Sequence, residues 1–469
     1  MSTPETATPT REQFHTGRAV MLAAVAALGG FLFGFDTAVI NGTVTAVREQ
    51  FEMGALLIGF TVSSALLGCV VGAYLAGRLA DRYGRVRVMM LASALFTVSA
   101  LGSGLAFGPA DLIVWRVVGG LGVGAASVIA PAYIAEISPA AIRGRLGSLQ
   151  QLAIVTGIFV ALLTAAFLAR VAGGASAELW FELPAWRWMF LSELIPAVAY
   201  GLLAALIPES PRYLVAKGMA TRAREVLGTV LKTGIEERMR EIARTVRVEA
   251  KHRLSDLRGP AAGLLPIVWV GIALSVFQQF VGINVIFYYS ATLWQQVGFE
   301  ERDALTITVL TSVTNIVVTL IAIAVIDKIG RRRLLMIGSA GMAVSLGTLA
   351  VIFGTAPVVA GEPALGSVAG PGALVAANLF VVFFGVAWGP AVWVLLGEMF
   401  NNTIRATALG VAAAAQWLSN FIISTTFPTL ADLSLAVAYG LYTFFAALSL
   451  IFVFKFVPET KGKQLEEMA

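Results

Sequence analysis

Twelve long apolar runs, parted by short polar stretches, leave this chain few ways to fold. They lie at roughly 19–40, 56–80, 86–106, 112–135, 146–168 and 188–207, then at 261–293, 305–326, 334–353, 373–396, 407–430 and 435–456. A helix needs about 20 apolar residues to cross the hydrocarbon core of a bilayer. Within lipid every backbone N–H and C=O must be bonded inside the segment, so runs of this length predict helices. The chain is 58% hydrophobic and 13% charged, whereas soluble domains have about 45–50% apolar and about 25% charged residues. The expectation is an all-α polytopic membrane protein with six spans, a charged stretch from Pro211 to Arg258, and six more spans.

Lys and Arg choose the sides. Arg78, Arg82, Arg85 and Arg87 follow the second run, Arg143 and Arg145 the fourth, and Lys328, Arg331, Arg332 and Arg333 the eighth. Arg405 follows the tenth, and Lys461 and Lys463 the twelfth, while the alternate loops are nearly bare. The positive-inside rule then puts both termini and the central stretch in the cytoplasm. The net charge of +5 is spent in these loops and does not argue for nucleic acid. Residues 1–18 lack the basic start of a secretory signal and read as a retained, disordered tail. Between Thr221 and Ala250 an imperfect stripe of Val226, Val230, Ile235, Met239, Ile242 and Val246 recurs at helical spacing. It predicts two or three short amphipathic helices lying against the span ends. Cys69 is the only cysteine, and His15 and His252 lie outside the runs. A disulfide framework, a metal cluster and an intramembrane histidine relay are excluded on that ground. The implied domains are a tail (1–18), a six-helix bundle (19–207), a helical linker (208–260), a second bundle (261–457) and a tail (458–469).

The two bundles repeat each other. Asp81-Arg82-Tyr83-Gly84-Arg85 recurs as Asp327-Lys328-Ile329-Gly330-Arg331, and Glu136 with Arg143 recurs as Glu398 with Arg405. Pro208-Glu209-Ser210-Pro211 is echoed by Pro458-Glu459-Thr460. A same-sense repeat of six-span halves builds a two-lobed transporter with its site between the lobes. The repeated acids and arginines stand at cytoplasmic span ends, where they either pair across neighbouring helices as a latch or only set orientation. Isolated exposed pairs are worth only ~0–1 kcal/mol, so a latch that forms and breaks is the better role.

Polar groups inside the spans carry the chemistry. The stretch FQQFVGINVIFYYS, 277–290, holds Gln278, Gln279, Asn284, Tyr288 and Tyr289, with Gly282 between them. Facing lipid, the amides would cost a few kcal/mol each, so they point into a bundle interior or a wet cavity. Gly282 can break the helix, and broken helices near mid-membrane are where transporters bind substrate. Polar glue between helices is the plainer alternative. Asp36, Arg116 and Glu193 are charged and lie inside the first bundle's spans, where charges are costly and usually functional. They suggest an ion pair that titrates, or else a permanent one.

Taken together, GRLADRYGR, YIAEISPAAIRGR, PESPR, QQFVGINVIFYYS and PETKG resemble the sugar porter family of the major facilitator superfamily, in that family's order, from about Gly30 to Gly462. Two departures stand out. The tenth-span signature reads EMFNNTIRA, with Asn401 and Ala406, and Val86 rather than a base follows the first DxxGR. The resemblance implies the major facilitator fold, two pseudo-symmetric six-helix bundles, and a monosaccharide site with a proton as coupling ion and no cofactor. It maps sugar contacts onto Gln151, Gln278, Gln279, Asn284, Asn315, Gly389, Trp393, Gln416 and Trp417, with Ile158, Phe287 and Phe384 as apolar walls. Trp388 is expected to pack instead. It implies proton coupling through Asp36, Arg116 and Glu193, and a cytoplasmic gate of Asp81, Arg85, Glu136, Arg143, Asp327, Arg331, Glu398 and Arg405. Ile158 and Phe287 stand where similar xylose symporters have Gln and Leu, which favours a hexose, glucose first.

The resulting expectation is a monomeric proton–sugar symporter of the cell membrane, with a facilitator using the same site as its alternative. A transporter-shaped sensor would need an added domain or a long tail, and the chain ends soon after Lys463. An enzyme would need a metal set, a His beside a nucleophile or a phosphate loop.

Overall fold

A computed structural model describes residues 13–248, 254–359, 362–363, 365–366, 368–400 and 404–459. The first bundle contains α1 (Thr16–Val39), α2 (Val44–Gln50), α3 (Ala55–Tyr83), α4 (Arg85–Gly104), α5 (Pro109–Ile137), α6 (Arg143–Ala172), α7 (Ala185–Leu191) and α8 (Leu194–Leu206). The linker follows as α9 (Pro211–Ala216), α10 (Ala220–Val230) and α11 (Ile235–Val248). The second bundle contains α12 (Pro266–Phe280), α13 (Ile283–Gln296), α14 (Glu301–Ile329), α15 (Arg331–Thr355), α16 (Ala369–Phe383), α17 (Gly389–Met399), α18 (Arg405–Leu433) and α19 (Leu435–Phe456). Twelve segments are long and apolar enough to cross a membrane. Three of the twelve are interrupted. The seventh breaks at Gly282, as its sequence suggests; the sixth breaks at Ser192–Glu193; and a π turn, Phe384–Trp388, separates α16 from α17. A short hairpin pairs Val358–Val359 with Glu362–Pro363, a small β addition to an otherwise helical chain.

The repeated motifs form one device used twice. Gly84 (φ +101°) ends α3 and Gly330 (φ +97°) ends α14, a backbone conformation that suits glycine. Each is followed by a helix whose first N–H groups lack intrahelical partners. Glu209 accepts from the N–H groups of Arg85 and Val86 at 2.9 and 3.2 Å, and Glu459 from those of Arg331 and Arg332 at 3.0 and 3.2 Å. A carboxylate there also meets the positive end of the helix dipole. The Pro-Glu motifs are therefore helix caps delivered from the far end of each bundle.

Within the first bundle small residues let backbones touch. A side chain at Gly34 would collide with the Ile154 carbonyl on α6, and one at Gly120 with the Ala65 carbonyl on α3. Where lipid supplies no hydrophobic drive between helices, such close packing holds them together.

The linker helices bury Leu214, Ala223, Leu227, Leu231, Met239 and Ile242 against one another. Arg224 hydrogen-bonds Glu236, which holds that carboxyl below its ordinary range. The expected disordered tail is corrected at its end. His15 N donates to Val230 O at 2.8 Å, Lys232 N donates to Gln13 O at 2.8 Å, and α1 begins at Thr16.

The lobes meet through α3 with α18, α6 with α14, and the turn after α1 with α13. They are sealed on the face away from the arginine-bearing loops. There Arg48 pairs with Asp432 at 2.8 Å, Thr45 donates to Gln295 at 3.2 Å, and Ala175 N donates to Glu301 at 2.9 Å. Ser63 and Thr425 share a hydrogen bond of 2.6 Å deeper in the interface.

Candidate functional site

The break at Gly282 builds one side of the site. Gly282 has φ +83°, and a Cβ there would stand 2.7 Å from the Tyr442 ring, so conformation and space both call for glycine. On either side of it three amides form a chain. Gln278 Nε2 donates to the Trp388 carbonyl at 2.9 Å, Gln279 Nε2 donates to Gln278 Oε1 at 3.4 Å, and Asn284 Nδ2 donates to Gln279 Oε1. Trp388 closes the π turn, whose wider winding disturbs the regular carbonyl ladder. Gln278 serves that turn by binding the Trp388 and Gly389 carbonyls. Gln279 and Asn284 remain able to rearrange around a ligand, since amides both donate and accept.

The other expected contacts are spread around these amides. Phe384 lies in the π turn and is half-buried, as are Asn315, Gln416, Trp417 and Ile158. Gln416 Oε1 is buried without a hydrogen-bond partner, and the Trp417 ring lies 5.7 Å from Phe33 of the other lobe. Phe287 is buried on α13, whereas Gln151 and Trp393 are exposed. Among the described residues no hydrogen bond joins Gln151, Asn315, Trp393 or Gln416 to the amide chain. Trp388 packs as expected, its Nε1 donating to Leu335 O at 3.1 Å and to Ser339 Oγ at 3.0 Å.

In the first lobe Arg116 pairs with Asp36, and Glu193 is buried in the same lobe. Asp36, Arg116 and Glu193 are each at most 2% exposed. Arg116 Nη1 donates to Asp36 Oδ1 at 3.1 Å and to the Asp36 carbonyl at 3.0 Å. Gly119 makes room for this, since a Cβ there would stand 2.9 Å from Asp36 Oδ1. Glu193 occupies the break between α7 and α8. Asp36 Oδ2, Arg116 Nε and Glu193 Oε1 are buried without hydrogen-bond partners. A buried ion pair whose remaining atoms are unmatched repays its desolvation poorly.

The gate residues pair across neighbouring helices inside each lobe. Arg85 binds Glu136 at 3.0 Å, and Arg331 binds Glu398 at 2.9 Å. Asp81, exposed, lies 3.3 Å from Arg85. Glu136 also accepts from Ser210 Oγ, and Arg143 Nε and Nη2 find no hydrogen-bond partner among the described residues. The side chains of Asp327, Arg405 and Ala406, and the whole of Asn401, lie outside the described residues.

Asn41 was not legible as a site residue. It sits in the 3-10 turn after α1, and its amide donates to the Phe287 carbonyl at 2.8 Å and accepts from Ala291 N at 3.1 Å. Thr45 meets Thr292 at 3.3 Å one turn further on. The helix that carries Asp36 is thus tied to the half-helix that carries Asn284.

Comparison with known proteins places these features in a family. The profile described as "Sugar (and other) transporter" matches residues 22–469. A protein named "Glucose transport protein" from Synechocystis sp. is 60% identical over 451 residues, covering 96% of each chain. The "D-xylose-proton symporter" of Escherichia coli is 38% identical, covering 97% of this chain and 96% of its own. Among solved structures, the partially occluded inward open xylose transporter XylE from E. coli superposes with a TM-score of 0.81 at 35% identity. That match covers 96% of this chain and 100% of XylE. The inward open form of XylE gives a TM-score of 0.79 at 36% identity, covering 95% and 98%.

Proposed function

Since the chain belongs to the sugar transporter family, we propose that it imports a monosaccharide, glucose, together with a proton by alternating access. The observation that carries this reading is the buried Asp36–Arg116 pair with its unmatched Asp36 Oδ2, on a helix tied through Asn41 to the amide-bearing α13. It is supported by relatives named as glucose transporters and as proton symporters.

The state described is inward-facing on this reading. The extracellular face is the one sealed by Asn41, Thr45 and the Arg48–Asp432 pair, and the arginine loops face the cytoplasm with both termini and the linker. The lobes span 19–207 and 261–457, joined by 208–260. Arg85–Glu136 and Arg331–Glu398 hold helices together within a lobe here, and are available to bridge the lobes when the cytoplasmic side closes. The protein acts as a monomer in the cell membrane, with a proton and no other cofactor.

Sugar hydroxyls bind Gln279 and Asn284, with Gln278 fixing the π turn behind them and Gln151, Asn315, Trp393, Gln416 and Trp417 completing the site. Ile158, Phe287 and Phe384 cover the apolar faces of the ring. Protonation of Asp36 releases Arg116 and changes the seat of α1. The Asn41 bonds pass that change to α13. Counterflow in proteoliposomes with a panel of hexoses and pentoses, combined with sugar-induced proton uptake, tests both parts. Uptake selective for a pentose would refute the substrate, and sugar flux without proton movement would refute the symport.

A further inference from the structure

α1 packs against α5 and α8, and this seam buries a further ionisable group besides the acids Asp36 and Glu193. Tyr200 of α8 is 0% exposed and its hydroxyl has no hydrogen-bond partner. Buried polar groups are nearly always satisfied, and the exceptions tend to have a task. Spacing fixes where this one lies. Gly29 and Asp36 are seven residues apart on α1, and Tyr200 on α8 lies seven residues after Glu193, which caps that helix. Seven residues make two turns, about 10 Å along one helix face.

The two helices run in opposite senses. α1 starts beside the linker, with His15 bonded to Val230, whereas α8 ends next to Glu209, the cap of α4. Both steps therefore lead from the acids toward the arginine-loop face, and they meet. A Cβ at Gly29 would stand 2.7 Å from the Tyr200 hydroxyl oxygen and 3.2 Å from Ala126 of α5. The glycine keeps open the space in which that hydroxyl sits.

Other hydroxyls mark the same line. Ser99 Oγ borders Gly119 beside Asp36, and Ser93 Oγ donates to the Ala197 carbonyl of α8 at 2.8 Å. Beyond Tyr200, and seven residues after Ala126 on α5, Tyr133 donates to the Pro208 carbonyl at 2.7 Å. Pro208 adjoins Glu209 and Ser210, which bind Arg85 and Glu136 at the surface of the lobe. Asp36, Arg116 and Glu193 are the charged groups at the deep end of this seam, and Arg18, Arg85, Glu136 and Glu209 those at its outer end. None of the line passes through the amide chain of the second lobe.

We propose that Tyr200 is a relay in a proton exit route along this seam, separate from the sugar cavity; the proposal rests on the symport reading above. The step moves one proton and no electrons. The carboxyl O–H bond of Asp36 breaks as a water in the seam takes the proton. The Tyr200 oxygen accepts a proton from one neighbour and passes its own to the next, so the hydroxyl is regenerated. Water at the arginine-loop face receives the proton.

Tyr200→Phe tests this, because it removes a single oxygen that bonds to nothing and so spares the fold, which thermal unfolding verifies. In proteoliposomes the variant is expected to slow sugar-induced proton uptake on the order of tenfold. Counterflow, which needs no net proton movement, is expected to stay in the wild-type range. If the wild type couples and Tyr200→Phe moves protons at the same rate, Tyr200 only packs and the relay is refuted. An equal slowing of counterflow and proton uptake refutes it too, since that marks a general packing effect. If the wild type moves no protons with sugar, the symport reading itself fails and the relay falls with it.

Discussion

Asn41 and Phe287, 246 residues apart, are joined by a 2.8 Å hydrogen bond from the Asn41 amide to the Phe287 carbonyl. With the return bond from Ala291 N, it fastens α13 to the end of α1, five residues beyond Asp36. α13 begins after the break at Gly282, and these bonds hold the half-helix against the first lobe.

Asn41→Ala should therefore open the sealed face. It removes two buried hydrogen bonds, each worth roughly 1 kcal/mol net, enough to move a conformational equilibrium about tenfold or more. Spin-label distances between the exposed residues 54 and 300, one on each lobe, would lengthen in the variant. An unchanged distance distribution would mean that the Arg48–Asp432 pair and helix packing hold the face shut alone.

The amide chain gives different outcomes for neighbouring residues. Gln279→Ala and Asn284→Ala should each weaken sugar binding by about 1–3 kcal/mol, the cost of a buried hydrogen bond, with folding retained. Gln278→Ala should also lower thermal stability, because it strips the π-turn carbonyl of Trp388 of its partner. Calorimetric titration alongside unfolding separates the cases; unchanged affinity in folded Gln279→Ala and Asn284→Ala would make these amides interhelical glue.

Much of this was legible in the sequence because it is local or periodic. Run length gave the twelve spans, Gly282 announced its own break, and two acids and one arginine inside the spans of one bundle had few partners besides each other. What stayed hidden depends on distant chain. Asn41 beside Gly42 reads as a turn residue until α13 is laid against it. The π turn at Phe384–Trp388 leaves no periodic mark, since an apolar run looks the same wound either way. The Pro-Glu motifs were visible as repeats, but their role as caps needs Glu209 to reach Arg85 across 124 residues.

The proposed hexose preference rests on the walls. Ile158 is half-buried on α6 and Phe287 is buried on α13, on opposite sides of the lobe interface. Ile158→Gln with Phe287→Leu should shift selectivity from glucose toward xylose, read as the ratio of competitive uptake. The Asn41 bond goes to the Phe287 backbone and survives the change. A ratio that stays put would place hexose selection elsewhere in the site.

Asp36→Asn separates coupling from exchange. Burial opposes the charged carboxylate and Arg116 favours it, and the 3.1 Å contact between them is the only hydrogen bond that the side chain makes among the described residues. An amide there is neutral permanently, so Arg116 loses its counter-charge in every state, as it would on protonation. Moving one charge through 100 mV is worth about 2.3 kcal/mol, enough to concentrate sugar roughly fiftyfold at equal pH. The variant cannot draw on that energy. It should still bind sugar and exchange it in counterflow, because neither step needs a net proton, but it should fail to accumulate sugar against a gradient. Concentrative uptake surviving in Asp36→Asn would hand the proton to another carrier, and Glu193, buried in the same lobe with one unbonded oxygen, is the group to replace next.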